Sequence, residues 1–309
     1  MASQREVVLC LAVLSEGVAR PGEARAEWYE ARDPESVADD VLARVTSIIT
    51  RSRVVLDAGV LARMPRLRRV VRAGSGVDNI DVAELDRRGI ELVRSPVVSA
   101  PAVAELASAG LTLLARRVPA AHALVQRGEI REPGWLGDST ADLDVVIWGA
   151  GPVGRACARC MEPRVRRVRF VRYPSVPDGV ANVPASAALV EADAHILALP
   201  LLPHTAGLVG DRWLRAAAAQ RPYLLNVART GLVSWPALSQ ALADDGLRGV
   251  FLEPVDPADV SEASALVRRH PRANLLVSQH LGAQRTDIRA ELDEWAVSKS
   301  LATTVTSAG

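Results

Sequence analysis

The amino-acid sequence predicts an α/β protein with two doubly wound parallel sheets. Short apolar runs such as VVLCLAVL, DVVIWG and YLLNV alternate with longer amphipathic segments, as buried parallel strands alternate with helices. We count about ten such runs, which fit two sheets better than one. A chain of 309 residues is also longer than a typical domain with one hydrophobic core, so two domains with a cleft between them are expected.

Composition excludes several classes of partner and chemistry. Lys and Arg total 37 against 36 for Asp and Glu, so the net charge is too small to attract nucleic acid or an anionic membrane. A small molecule is the partner expected from this balance. The only lysine is Lys299, which leaves no internal lysine for a Schiff base or a P-loop.

The three cysteines and the N-terminus indicate a soluble cytoplasmic protein. Cys10, Cys157 and Cys160 are too few, and odd in number, for a secreted disulfide framework. Cys157 and Cys160 form a CxxC inside a helical run, where packing is the simpler interpretation than a metal site. The N-terminal apolar stretch is short for a signal peptide, and no run reaches the ~18 residues of a membrane span.

A helix is predicted at the boundary between the two domains, in SPVVSAPAVAELASAGLTLLARRV. Ser99 is placed to cap it and Pro101 falls in its first turn. Four apolar residues follow at helical spacing: Val103, Leu106, Leu113 and Leu114. A glycine-rich nucleotide motif comes only after this helix, so roughly the first 95 residues are expected to form a separate unit.

That motif is DVVIWGAGPVGRACARCM, an apolar strand, a glycine-rich turn and a helix rich in small residues. Gly149, Gly151 and Gly154 have the GxGxxG spacing of dinucleotide-binding folds. In that motif the first glycine permits a tight turn, the second lets the backbone approach a pyrophosphate, and the third permits close helix packing. Pro152 and Val153 complete the turn and are expected beside the phosphates. The alternative is a glycine-rich turn without a ligand.

The end of the next strand, VRFVRYPS, indicates which coenzyme is bound. An acid that holds the ribose 2′-hydroxyl of NAD is expected there, but Arg172 and Tyr173 occupy the position. A guanidinium suits a 2′-phosphate, so NADP is favoured over NAD. The alternative is that Arg172 is one more arginine of an arginine-rich chain.

Four further segments, in the order RAGSGVDNID (72–81), LPLLPHTAGLV (199–209), NVARTGLV (226–233) and QHLGA (279–283), surround the glycine motif. Together they resemble the D-2-hydroxyacid dehydrogenases, especially the phosphoglycerate dehydrogenase branch, from about residue 45 to residue 290. The resemblance implies a Rossmann nucleotide domain, 97–282, inserted into a flavodoxin-like substrate domain formed by 1–96 and 283–309. It also implies a homodimer.

The same resemblance implies roles for individual residues. Arg229 matches the arginine that grips the substrate carboxylate, and His280 matches the acid–base histidine. The segment RAGSGVDN matches a loop whose amides hold the substrate carboxylate, which places Gly74, Ser75 and Gly76 near the substrate. Arg51 and Ser52 match a pair that faces the same cleft. Pro200, Thr205 and Ala228 match positions near the coenzyme.

Elementary chemistry supports the pairing of Arg229 with His280. Hydride transfer to C2 of a 2-oxo acid leaves an alkoxide, which needs a proton donor and a fixed cation beside it. An unperturbed histidine has a pKa of about 6.5, so a neighbouring carboxylate helps to keep it protonated. Asp256, before Pro257, is the preferred candidate for that carboxylate. Glu253, before Pro254, and Glu262 are the alternatives.

The function predicted is reduction of a small 2-oxo acid to the D-2-hydroxy acid. Arg51, Arg53 and Arg72 suit a second anionic group, such as a phosphonate or phosphate, on the substrate. Departures from the family pattern at Ser99-Ala100, Ala198 and Gln279 indicate an unusual pocket. Two alternatives stay open: a nucleotide-sensing binding protein without turnover, and an oxidiser of a one-centre anion such as phosphite or formate.

Overall fold

The computed structural model describes residues 5–22, 25–95, 97–171 and 182–301. The chain divides into two compact units. Unit 1 is Met1–Ser99 with Arg285–Gly309, and unit 2 is Ala100–Gln284. In the described ranges, no helix is both long and apolar enough to cross a membrane.

Unit 1 is built on a five-stranded parallel sheet in the order β2-β1-β3-β4-β5. This is the flavodoxin-like order of a doubly wound sheet. Its strands are β1 Glu6–Cys10, β2 Ala26–Glu30, β3 Ser47–Thr50, β4 Arg69–Arg72 and β5 Glu91–Arg94. The helices that precede unit 2 are α1 Asp39–Leu42, α2 Ala58–Ala62 and α3 Val82–Arg87.

Unit 2 contains a seven-stranded parallel sheet in the order β12-β11-β10-β9-β6-β7-β8. Its strands are β6 Asp144–Trp148, β7 Arg167–Val171, β8 Asn182–Val183, β9 Ala194–Leu197, β10 Tyr223–Asn226, β11 Gly249–Leu252 and β12 Leu275–Val277. The strand order reverses between β6 and β9. In open α/β sheets such a reversal marks the ligand-binding edge.

Helices pack on both faces of the unit 2 sheet. They are α4 Ala100–Ala115, α5 Val118–Gln126, α6 Pro152–Met161, α7 Ala185–Glu191, α8 Asp211–Ala217, α9 Trp235–Ala243 and α10 Val260–Arg269. The strands alternate between the two cores: Val145 and Ile147 pack on one side, Val146 and Trp148 on the other. Apolar runs without polar alternation are therefore buried on both faces, as expected for parallel sheets.

The last helix, α11 Thr286–Ser300, packs on unit 1. Its Ala296 and Val297 lie in one core with Val8, Ile49 and Val71. The opposite face of the same strands forms the second core of unit 1.

The predicted fold class, two parallel sheets with helices, is confirmed, but three details differ. Strands β2 and β8 were not among the ten apolar runs, because β2 (AEWYE) mixes charged and aromatic residues at a sheet edge and β8 has two residues. On α4, the predicted apolar face included Leu113, which is 36% exposed. Small residues, including Ala104 and Ala107, form the buried face together with Leu111 and Leu114.

His195 lies inside the unit 2 core, fully buried on β9. Its Nδ1 accepts a hydrogen bond from Nε1 of Trp148 at 3.2 Å, and its ring meets Trp213 edge-on with centroids 4.7 Å apart. Burial lowers the pKa of His195 to about 3. The ring is therefore neutral in the folded protein and unsuited to acid–base work near neutrality.

This burial predicts an acid-sensitive stability. The folded pKa lies below the unfolded value of about 6.5, so the contribution of neutral His195 is complete above that pH and is lost as the pH falls toward 3. Between pH 7 and pH 5 the loss is about 2 kcal/mol of unfolding free energy. Urea unfolding followed by tryptophan fluorescence measures it. His195→Gln should lower this pH dependence by that amount, and an unchanged dependence would contradict the assignment.

Candidate active site

The glycine-rich turn joins β6 to α6 and leaves room for a ligand at one position. Gly149 has φ +109°, and a Cβ there would lie 2.5 Å from the carbonyl oxygen of Ala198. A Cβ on Gly154 would lie 1.9 Å from the carbonyl oxygen of Gly149, so α6 packs against the turn only with glycine here. A Cβ on Gly151 would meet no atom within 4 Å.

These features fit a dinucleotide. The backbone at Gly151 is open to an approaching phosphate, and Pro152 begins α6 directly after it. The amide groups of a helix N-terminus bind anions. Val153 follows in the first turn of α6. Arg172 and Tyr173, the predicted determinants of the coenzyme, lie outside the described residues.

The turn that follows β9 is held by the buried hydroxyl of Thr205. It accepts a hydrogen bond from the amide of Leu202 at 2.8 Å and donates one to the carbonyl of Pro200 at 2.7 Å. The hydroxyl thus shapes the turn, and exposed Pro200 forms its surface.

Arg229 stands in a turn just after β10 that buried Asn226 organises. The side-chain amide of Asn226 donates to the carbonyl of Arg229 at 2.7 Å and accepts from the amide of Ala228 at 3.1 Å. Nη1 of Arg229 donates to the carbonyl of Ala228 at 2.6 Å. The hydroxyl of Thr230 bonds to the carboxylate of Asp259. The backbone that carries the guanidinium is therefore held on both sides.

His280 follows β12 and lies beside Asp256, which follows β11. Nδ1 of His280 and Oδ1 of Asp256 are 3.4 Å apart, and both side chains are 39% exposed. His280 has φ +56°, a left-handed conformation unusual for a residue with a side chain. Its amide donates to the carbonyl of Glu253 at 3.0 Å. This bond helps to keep the unusual backbone in place.

The two other candidate carboxylates have different partners. Glu253 is 2% exposed, and its Oε1 accepts from the amide of Gly282 at 2.5 Å. Burial raises the pKa of Glu253 to about 7, and the positive charge of Arg229 opposes the rise. Exposed Glu262 bonds to the hydroxyl of Ser261. Of the three, Asp256 is the one that the described geometry pairs with the imidazole.

The predicted substrate residues of unit 1 lie after β3 and β4. Arg51 forms an ion pair with Asp293 of α11, a carboxylate with no exposed side-chain surface. Asp293 also accepts from the amide and the hydroxyl of Ser15, both at 2.8 Å. Ser52 is exposed. The loop of Gly74, Ser75 and Gly76 begins directly after β4, and Gly74 has φ +146°.

The sequence patterns do not identify the residues whose hydrogen bonds and ion pairs hold the predicted site residues in place. Asn226 has a visible signal, since it is a polar residue at the end of the apolar strand YLLN, where a buried amide needs partners. Asp293 has none, because its partners Ser15 and Arg51 are 278 and 242 residues away in the chain. Only the folded chain brings them together.

A sequence model of the family described as D-isomer specific 2-hydroxyacid dehydrogenase, catalytic domain, matches residues 8–306. The chain belongs to this family. Its resemblance to the D-2-hydroxyacid dehydrogenases is thereby confirmed.

Individual members of the D-2-hydroxyacid dehydrogenase family are similar over most of the chain. D-3-phosphoglycerate dehydrogenase of Mycobacterium bovis is 29% identical over 280 residues, which cover 86% of this chain and 50% of that protein. Glyoxylate reductase of Thermococcus gammatolerans is 27% identical over 280 residues, covering 86% of this chain and 82% of that protein. The chain thus spans about half the length of the first of these relatives.

A solved structure shows the same fold. D-lactate dehydrogenase from Aquifex aeolicus, complexed with NAD and lactic acid, superposes with a TM-score of 0.79 at 19% identity. The match covers 95% of this chain and 93% of that one.

Proposed function

We propose that this chain is a nicotinamide-dependent reductase that converts a small 2-oxo acid to the D-2-hydroxy acid. The observation that carries the proposal is the set Arg229, Asp256 and His280 in unit 2. These residues follow β10, β11 and β12, and the glycine motif follows β6 of the same parallel sheet. The carboxyl ends of parallel strands share one edge, which is where such sheets bind ligands.

Each side chain has a task in the proposed reaction. The reduced nicotinamide, when bound, supplies the hydride that adds to C2 of the substrate. Arg229 binds the carboxylate and the carbonyl oxygen in two-point geometry, which orients C2 and stabilises the negative charge that develops on oxygen. His280 donates the proton to that oxygen. Asp256 holds Nδ1, which leaves Nε2 of the ring for the substrate.

The roles of Asp256 and Glu253 differ in a testable way. Asp256→Asn should lower kcat by roughly 10-fold or more, since the imidazolium loses its negative partner. Glu253→Gln should have a smaller effect, because burial raises the pKa of Glu253 to about 7 and glutamine resembles its neutral form. Steady-state rates of both variants at neutral pH make the comparison. A larger loss for Glu253→Gln would transfer the role to Glu253.

For the coenzyme we propose NADP in preference to NAD, on the presence of Arg172 and Tyr173 after β7. Arg172→Ala should raise the KM for NADPH by roughly 10-fold or more and leave that for NADH nearly unchanged, because the lost contact is to the 2′-phosphate. Arg166→Ala, a 57%-exposed side chain before the same strand, is the matched control. Equal weakening of both coenzymes would refute the proposed contact between Arg172 and the 2′-phosphate.

A phosphonate- or phosphate-bearing substrate is the narrower form of this proposal. Within unit 1, the guanidinium of Arg51 pairs with the carboxylate of Asp293, and that of Arg72 donates to the carbonyls of Ala73 and Gly76. Exposed Arg53 is then the best candidate for the second anion.

We also propose that the protein is a homodimer. Exposed apolar side chains on α4, on α5 and in the segment after α5 support an apolar contact with a second copy. They are Leu113 at 36% exposure, Val125 at 74%, Ile130 at 91% and Leu136 at 79%.

The direct test is oxidation of NADPH and NADH by the purified protein with glyoxylate, pyruvate and a phosphonate-bearing 2-oxo acid. Oxidation that depends on a 2-oxo acid supports the proposal. Binding of nucleotide without oxidation favours a nucleotide-sensing protein. Reduction of NAD(P)⁺ by phosphite or formate, without activity on any 2-oxo acid, favours an oxidiser of one-centre anions.

A further inference from the structure

Arg72, the last residue of β4, is buried and binds the loop that follows it. It is 6% exposed, and its Nε donates to the carbonyl of Gly76 at 2.9 Å. Its Nη1 donates to the carbonyl of Ala73 at 3.2 Å. One planar guanidinium therefore joins the two ends of the loop 73–76.

The two middle carbonyls of this loop are also bound. The carbonyl of Gly74 accepts from the amide of Ser95 at 3.2 Å. The carbonyl of Ser75 accepts from Nη1 of Arg94 at 3.4 Å. All four carbonyl oxygens of the loop 73–76 are thus used by unit 1 itself.

The amides of the loop show the opposite pattern. Ala73 and Gly74 donate to the carbonyls of Thr50 and Arg72. The next three amides, those of Ser75, Gly76 and Val77, have no acceptor in the part of the chain that the structure describes. Ser75 is exposed and its two successors are half-buried, so solvent or a ligand reaches this stretch. Successive amides without acceptors form a binding site for an anion.

We propose that Arg72 is a positioning residue for the substrate carboxylate. By binding the carbonyls of Ala73 and Gly76, Arg72 holds the carbonyl oxygens of the loop toward unit 1. The three successive amides that follow Gly74 are then left to donate to the carboxylate of the 2-oxo acid. This inference rests on the proposed function, since it takes a 2-oxo carboxylate as the ligand.

The geometry of the loop favours arginine at position 72 and glycine at position 74. A planar fork reaches two carbonyls at once, whereas the ammonium of a lysine is a single point. A Cβ on Gly74 would lie 3.2 Å from Nη1 of Arg72, and φ there is +146°. The positive φ and the close approach of the guanidinium therefore both favour glycine at position 74.

The test compares Arg72→Met with Arg68→Met. Arg68 is exposed and precedes the same strand, so its variant removes the same charge from unit 1 without touching the loop. For Arg72→Met we expect a rise in KM of about 10-fold or more for every 2-oxo acid, whatever its tail, because the carboxylate is their common group. The kcat should change by less than about 3-fold and the Kd for NADPH should be unchanged. Arg68→Met should match the wild type.

Arg72→Lys serves as the second variant should Arg72→Met fail to fold, and its KM should lie between those of Arg72→Met and the wild type. The shift in melting temperature caused by oxalate in the presence of NADPH reports carboxylate binding without turnover. Absence of wild-type turnover therefore counts against the proposed function, while the oxalate shift still tests Arg72. An unchanged KM and an unchanged oxalate shift in a folded Arg72 variant would overturn the inference. So would a parallel loss of NADPH binding, which indicates a general structural defect.

Discussion

Replacing His280 with alanine should lower the rate of 2-oxo acid reduction by about 100-fold or more. The imidazole is the proposed proton donor, and without it the alkoxide must take its proton from water. Because the glycine motif lies elsewhere in unit 2, the Kd for NADPH should stay within about 2-fold of the wild type. Steady-state kinetics together with a fluorescence titration of NADPH separate the two effects.

The backbone at position 280 determines the choice of variants. Its φ of +56° is left-handed, a conformation that asparagine tolerates better than alanine. His280→Asn therefore removes the acid with less strain and should lose activity to the same extent. His122→Ala, an exposed histidine on α5, is the matched control and should be active. A rate close to the wild type in either His280 variant would remove this residue from the mechanism.

Replacing Arg229 with alanine should lower kcat/KM by about 100-fold or more. The guanidinium is proposed to bind both the carboxylate and the carbonyl oxygen, so its loss affects binding and the chemical step together. Arg229→Lys keeps the charge but not the two-point geometry, and should recover only a small part of the activity. Arg215→Ala, an exposed arginine of α8, is the control. Equal activity of Arg229→Lys and the wild type would show that charge alone suffices.

Much of the fold follows from short-range patterns in the sequence. The buried strands of both sheets are apolar on both faces, so their runs are visible without any partner. Strands β2 and β8 escape the same criterion, since the first lies at an edge with polar residues and the second is two residues long. The exposed Leu113 shows the limit of periodicity, because alanines and not only leucines form the buried face of α4.

The candidate site is predictable only in part, because its supporting contacts are long-range. The choice between Asp256 and Glu253 depends on how the segment after β11 runs beside the segment after β12. The dipeptide Glu-Pro alone does not show that the carboxylate of Glu253 binds the amide of Gly282, 29 residues away. The role of Arg72 depends on hydrogen bonds to backbone carbonyls, which every residue carries whatever its side chain. Side-chain identity carries no signal for such contacts.

The central claim is that Arg229 and His280 act on a 2-oxo acid that receives a hydride from the reduced coenzyme. The most direct measurement uses NADPH that carries deuterium at both C4 positions and the 2-oxo acid consumed fastest other than glyoxylate, whose product is achiral, with the product analysed by NMR and chiral chromatography. We predict a D-2-hydroxy acid with deuterium on C2, and almost none from His280→Asn or Arg229→Ala. Product without deuterium, the L-enantiomer, or bound coenzyme that no 2-oxo acid oxidises would contradict the claim.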